Sequence, residues 1–107
     1  MRNKLHAKKT RLDGYVFDSG AESRRYAYLR LLEKAGQINA LEVHPRFPIS
    51  INGKLICNAF LDFKYFCIDG PIYEDVKGCK TALSSLKKKM VEAEYGIKVT
   101  IIPAKTC

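Results

Sequence analysis

The sequence predicts one α/β domain of the α+β kind, in which two helices flank a mixed sheet in the order α-β-β-β-α-β. Three observations carry this. Apolar residues recur at helical spacing in two segments, around residues 20–35 and 82–95. Between them, Asn52-Gly53 and Asp69-Gly70 each mark a hairpin turn. After the second helix, Ile97-Lys98-Val99-Thr100-Ile101-Ile102 alternates as a strand until Pro103. With 107 residues there is chain enough for one compact core and too little for two.

Residues 1–14 carry Arg2, Lys4, Lys8, Lys9 and Arg11 with little apolar pattern and read as a basic arm, leaving residues 15–107 as the single domain. The first helix opens on Ser19-Gly20-Ala21-Glu22, an S-x-x-E capping box. Tyr26, Leu29, Leu32 and Ala35 make its apolar stripe, and Gly36 closes it. Arg46 to Ile51 is extended and leads into the Asn52-Gly53 turn. The returning strand, roughly Lys54 to Cys67, is long enough to bend or bulge. Ile72 to Lys77 is the third strand, with Pro71 suited to its start. The second helix, Ala82 to Tyr95, has Thr81 as its cap and Gly96 as its end. Leu83, Leu86, Met90, Val91 and Ala93 form its expected apolar stripe.

Composition narrows the function classes. No stretch approaches the roughly 20 apolar residues that span a bilayer, and the basic start has no apolar core of a secretory signal, so no membrane association is expected. Cys57, Cys67, Cys79 and Cys107 lack C-x-x-C spacing and are remote from His6 and His44, so reduced, inert thiols are expected rather than a zinc site. A net charge of +8, from 19 Lys plus Arg against 11 Asp plus Glu, favours a polyanionic partner. A merely soluble basic surface accounts for the same charge. The informative residues are the few acids set within it.

If Asp69-Gly70 is a two-residue loop, Asp62 lies opposite Lys77 and Lys64 opposite Asp75. Opposed residues share a face, so Asp62, Asp75 and Lys77 point one way while Glu74 and Val76 point the other. Two carboxylates and a lysine on one face suit magnesium-assisted phosphodiester hydrolysis, in which hard oxygen ligands hold the ion and lysine offsets developing charge. The competing reading is a solvated cross-strand Asp62–Lys77 ion pair. Glu22 likewise has a purely structural reading as a capping-box residue.

Phe17-Asp18-Ser19-(x)2-Glu22 opening a helix, then Asp62 on a strand, then Asp75-Val76-Lys77-Gly78, is an order of motifs that resembles the PD-(D/E)xK nucleases. Their restriction-endonuclease-like core has the same α-β-β-β-α-β order. More closely, from Asp13 to Ile102, the chain resembles small phage-encoded proteins of that superfamily, and more distantly phage endonuclease I resolvases and the cutting subunit of some bacterial transposases. The resemblance implies Glu22, Asp62 and Asp75 as ligands for Mg²⁺, with Mn²⁺ able to substitute, and Lys77 as the motif lysine. Two departures stand out: Leu61 replaces the proline before the aspartate, and His44 occupies a place where relatives often carry glutamine.

Arg24 and Arg25 on the first helix, His44, Lys64, and Lys80, Thr81, Lys87 and Lys88 at the second helix are the candidate DNA contacts. Three consecutive lysines, Lys87 to Lys89, fan over about 200° of a helix and so cannot all reach one phosphate strand. The expected function is Mg²⁺-dependent hydrolysis of DNA, with branched DNA such as a Holliday junction as substrate and a homodimer making paired cuts. The expected setting is the cytoplasm of a bacterial host, from a phage or prophage. Alternatives are a nicking or end-processing nuclease without structure preference, and a non-catalytic DNA-binding module.

Overall fold

A single antiparallel ribbon, bent once along its length, organises the molecule. In a computed structural model of the protein, residues 9–104 are described. The elements are β1 (Thr10–Leu12), β2 (Tyr15–Phe17), α1 (Gly20–Lys34), β3 (Asn39–Val43), β4 (Arg46–Ile51), β5 (Lys54–Phe60), β6 (Phe63–Cys67), β7 (Gly70–Lys77), α2 (Ala82–Tyr95) and β8 (Val99–Pro103). The architecture is mixed α and β, with a four-stranded sheet in the order β3-β6-β7-β8. Its strands are antiparallel except for the β7–β8 pair, which is parallel and joined through α2.

The long returning strand does bend, and it breaks into β5 and β6 at Leu61-Asp62. Across the break the pairing continues without a slip: Val43 faces Phe63 and Arg46 faces Phe60. The His44 N–H donates to the Asp62 carbonyl at 2.9 Å, and the Leu61 N–H to the Pro45 carbonyl at 3.2 Å. β3–β4 and β5–β6 are therefore one ribbon whose base joins the main sheet and whose outer half folds away from it. His44 takes a left-handed φ of 54° at the bend, a conformation uncommon outside glycine. Strand β3, which the sequence reading did not assign, completes the sheet.

Thr10–Leu12, expected within a basic arm, pairs instead with Tyr15–Phe17 around Asp13-Gly14. The alternation of Thr10, Leu12, Tyr15 and Phe17 supplies apolar partners for α1, and the charge of Arg11 masked it. Arg2, Lys4 and Lys8 lie outside the described residues.

Both helices form where expected. Ser19 caps α1, its side chain accepting the Glu22 N–H. At the other end, Gly36 has a φ of 80° and the Gln37 N–H returns to the Leu32 carbonyl, while the Gly36 N–H reaches Glu33. That pattern is a Schellman motif, which only an αL residue can close. Thr81 and Ser84 exchange side-chain and backbone hydrogen bonds at the start of α2, and Gly96 ends it with a left-handed φ.

The sheet separates two cores. On one side α1 buries Tyr26 and Leu29 against Phe17, Phe63, Tyr65 and Val76. On the other, Val91 of α2 packs with Phe47, Ile49, Ala59, Leu61 and Val99. The outer ribbon is held here, with the Phe47 ring edge-on to Tyr95 at 5.2 Å and the Tyr95 hydroxyl donating to the Pro48 carbonyl. The stripe expected on α2 holds at Met90 and Val91, which pack into the core, but Leu83 and Leu86 are exposed and Lys87 turns inward instead. Cys57 and Cys67 are free thiols as expected, whereas Cys79 is disulfide-bonded, which absence of a C-x-x-C spacing does not exclude.

Adjacent residues of β7 point to opposite faces, and both acids there are buried. Glu74, only 1 % exposed, faces α1. Arg25 binds it through Nε at 2.8 Å and Nη2 at 2.7 Å, and the Tyr65 hydroxyl donates to the same carboxylate. The pairing raises the Arg25 pKa further, and burial with this hydrogen bond raises that of Tyr65. Arg25, expected at DNA, is held by Glu74, a buried carboxylate that needs a partner, and keeps about a quarter of its side chain exposed. Arg25→Ala would strand that carboxylate, so the unfolding free energy should fall by about 3 kcal/mol, measured by urea denaturation without DNA. A change below about 0.5 kcal/mol would mean that the pair is not structural.

Candidate metal and nucleic-acid site

The bend of the ribbon and the start of α1 meet at one end of the sheet. Glu22, in the first turn of α1, His44 and Asp62 each present a ligand atom, and these atoms lie within 4.8 Å of one another. Their identities follow from local structure. The cap at Ser19 fixes Glu22, whose Oε1 accepts the Asp18 N–H at 3.3 Å rather than that of the cap residue. His44 and Asp62 face each other across the ribbon at its bend, so they share a face. The His44 ring lies 5.7 Å from that of Phe17.

Where β5 leaves the sheet, β7 loses its ladder partner. The Asp62 carboxylate fills the gap, its Oδ2 accepting the Val76 N–H at 2.7 Å, while the Asp62 N–H donates to the Glu74 carbonyl. Asp62 is thus pinned to β7 by main chain and side chain together. Burial pushes its carboxyl up to about 8; the Glu22 and Asp75 charges and a hydrogen bond with Asp75 add to this, and the Val76 N–H opposes it. Glu22 is also raised, by burial first, with Asp18 and Asp75 adding repulsion and Lys77 opposing it.

Asp75, 2 % exposed, sits beside this group on the α2 side. Its Oδ2 lies 3.0 Å from the Lys77 Nζ and 3.3 Å from the Lys87 Nζ. Neither contact has the geometry of a hydrogen bond, so that oxygen is buried without one. Lys87 also donates to the Phe60 carbonyl at 2.9 Å, tying α2 to the strand that departs at the bend.

The structure therefore brings together Glu22, Asp62, Asp75 and Lys77, and adds His44 and Lys87, which the sequence reading placed among the DNA contacts. Lys87 had a legible signal: it precedes the buried Val91 by one helical turn and so shares its inward face. The face assignment of Asp62, Asp75 and Lys77 holds although the register does not. The loop is Ile68-Asp69 instead of Asp69-Gly70, so Cys67 pairs with Gly70 and Phe63 with Glu74. Moving the turn by one residue shifts the pairing by two, which preserves the faces. Asp62 then opposes Asp75 rather than Lys77.

Of the remaining expected contacts, Lys80 and Lys88 line one surface cavity with Lys77. Thr81 is occupied as a helix cap, Lys88 pairs with Glu92 at 3.2 Å, and the Lys64 ammonium lies over the Phe66 and Tyr73 rings. Arg24 lines a surface pocket with Ala21, Tyr28 and Ile102. Among the described residues, no helix is long and apolar enough to cross a membrane.

Because folded Asp62 keeps its proton to higher pH than an unfolded aspartate, the native state binds the extra proton between pH 3.8 and about 8. In chelator, stability should decline as pH rises through that window, and Asp62→Asn should flatten the decline. Urea unfolding at several pH values measures it, and parallel profiles for wild type and variant would refute the assignment. No curated protein and no solved structure matches the chain. A family model described as "Protein of unknown function (DUF1064)" matches residues 2–105, and the chain belongs to that family.

Proposed function

We propose that this protein is a divalent-cation-dependent DNA endonuclease with a restriction-endonuclease-like core, acting on branched DNA as a homodimer. The observation that carries the reading is the meeting of three acids with two lysines: Glu22, Asp62 and Asp75 with Lys77 and Lys87. With the outer ribbon β4–β5 set aside, the order α1-β3-β6-β7-α2-β8 supports the core assignment.

The donor set fits a small divalent cation. Carboxylate oxygens suit Mg²⁺ and Mn²⁺, a neutral imidazole suits Mn²⁺ better than Mg²⁺, and the burial and mutual repulsion that raise Asp62 and Glu22 are what a cation would offset. Glu22, His44 and Asp62 would hold it, with Asp75 adjacent. When bound, it supplies a Lewis acid for the scissile phosphate and the attacking water.

The chain's own groups do the rest. Lys77, held by Asp75, presents an ammonium to the phosphate and offsets charge that grows during attack. Lys87 lies 3.3 Å from the Asp75 carboxylate and fixes α2 against the bend through the Phe60 carbonyl. Val76 orients the Asp62 carboxylate through its N–H. The net charge of +8 favours approach of a polyanion. Two coordinated cuts in a four-way junction require two such sites, hence the homodimer.

Cleavage of a synthetic four-way junction in Mg²⁺ should fall at least about 100-fold in Asp75→Ala and in Lys77→Ala. Calorimetric Mn²⁺ binding should be lost in Asp62→Asn and Glu22→Gln and retained in Lys77→Ala. Comparison with linear, nicked and flap DNA sets the substrate preference. Wild-type protein that binds DNA, ignores Mn²⁺ and cuts nothing would replace the proposal with a non-catalytic binding module.

A further inference from the structure

Beside the acidic group, between the first half of α2, the end of β7 and β8, lies a cavity of about 270 Å³. Four lysines and two serines line it: Lys77, Lys80, Lys88, Lys89, Ser84 and Ser85. No carboxylate lines it. Lys88 is partly offset by Glu92 and Lys77 by Asp75. Among the described residues, no acid lies within ion-pair distance of Lys80 or Lys89.

Helices favour acids in their first turn, where the macrodipole is positive. The first turn of α2 holds none, and Lys80 precedes it. Positive charge and a positive helix end thus share one concavity with no compensating acid on its wall. Such an arrangement is costly alone and favourable around an anion. Lys77 connects it to the acidic group, since the same side chain lines the cavity and contacts Asp75.

We propose that this cavity is a phosphate subsite, seating a nucleic-acid phosphate next to the one held at the acidic group. This rests on the nucleic-acid reading above. The recognised chemistry is a phosphate oxyanion met by ammonium donors and the Ser85 hydroxyl, the Ser84 hydroxyl being held in the helix cap. It comes from an internal phosphodiester or from a terminal phosphate monoester at a strand end.

The test is fluorescence anisotropy in EDTA with two duplexes, one 5′-phosphorylated and one 5′-hydroxyl, across a salt series. Binding alone is read, so absence of cleavage leaves the outcome interpretable. The double variant Lys80→Gln/Lys89→Gln should bind about tenfold or more weakly and lower the salt slope by about 2. Lys34→Gln/Lys54→Gln removes the same charge elsewhere and should change affinity less than about threefold. Loss on both duplexes supports a phosphodiester in the cavity, and loss confined to the phosphorylated one supports a terminal phosphate. Equal effects of the two double variants, or no binding by wild type at low salt, would overturn the proposal.

Discussion

A two-stranded ribbon that leaves a sheet partway along exposes the edge of the strand it abandons. Here that strand is β7, and the orphaned N–H belongs to Val76. An unsatisfied buried N–H costs about as much as a lost hydrogen bond. The Asp62 carboxylate supplies the missing acceptor from the residue at which the ribbon turns away. The same substitution of side chain for main chain draws an acid against β7, opposite Asp75, while the left-handed turn at His44 brings an imidazole alongside.

The two faces of β7 use charge differently. Toward α1, Glu74 is satisfied by a planar guanidinium and a phenol, both of its oxygens accepting hydrogen bonds. Toward α2, Asp75 is neutralised by two flexible ammoniums and keeps an oxygen without a well-formed hydrogen bond. The first arrangement is what a fold needs from a buried carboxylate. The second leaves coordination capacity unused, as expected of a group whose full set of partners includes something outside the chain.

Helix limits were legible because caps are local: Ser19, Gly36, Thr81 and Gly96 each act within four residues of their own position. The ribbon's bend was only half legible. Chain length implied a break between Lys54 and Cys67, but its position depends on packing of Phe47, Ile49 and Leu61 against α2, a tertiary matter. β3 escaped notice because Asn39 to Val43 mixes polar and apolar residues and contains Ala40 at a positive φ, so its alternation is broken. Among the site residues, Asp62, Asp75 and Lys77 were readable from strand parity. His44 was not, because its role depends on a backbone conformation, and Lys87 was signalled only by its place one helical turn before Val91.

The pleat of β6 and β7 also sets which changes in chain length this site can absorb. Sliding one strand by two residues returns every side chain to its own face, so drift of the hairpin by a whole pleat keeps Asp62, Asp75 and Lys77 as neighbours. Inserting one residue between Asp62 and the turn would instead exchange the roles of the two faces. Val76 would then stand opposite Asp62, and Asp62 and Asp75 would no longer share a face. Over evolutionary time, this segment should vary freely in composition at the exposed Ile68 while its length changes only in even steps.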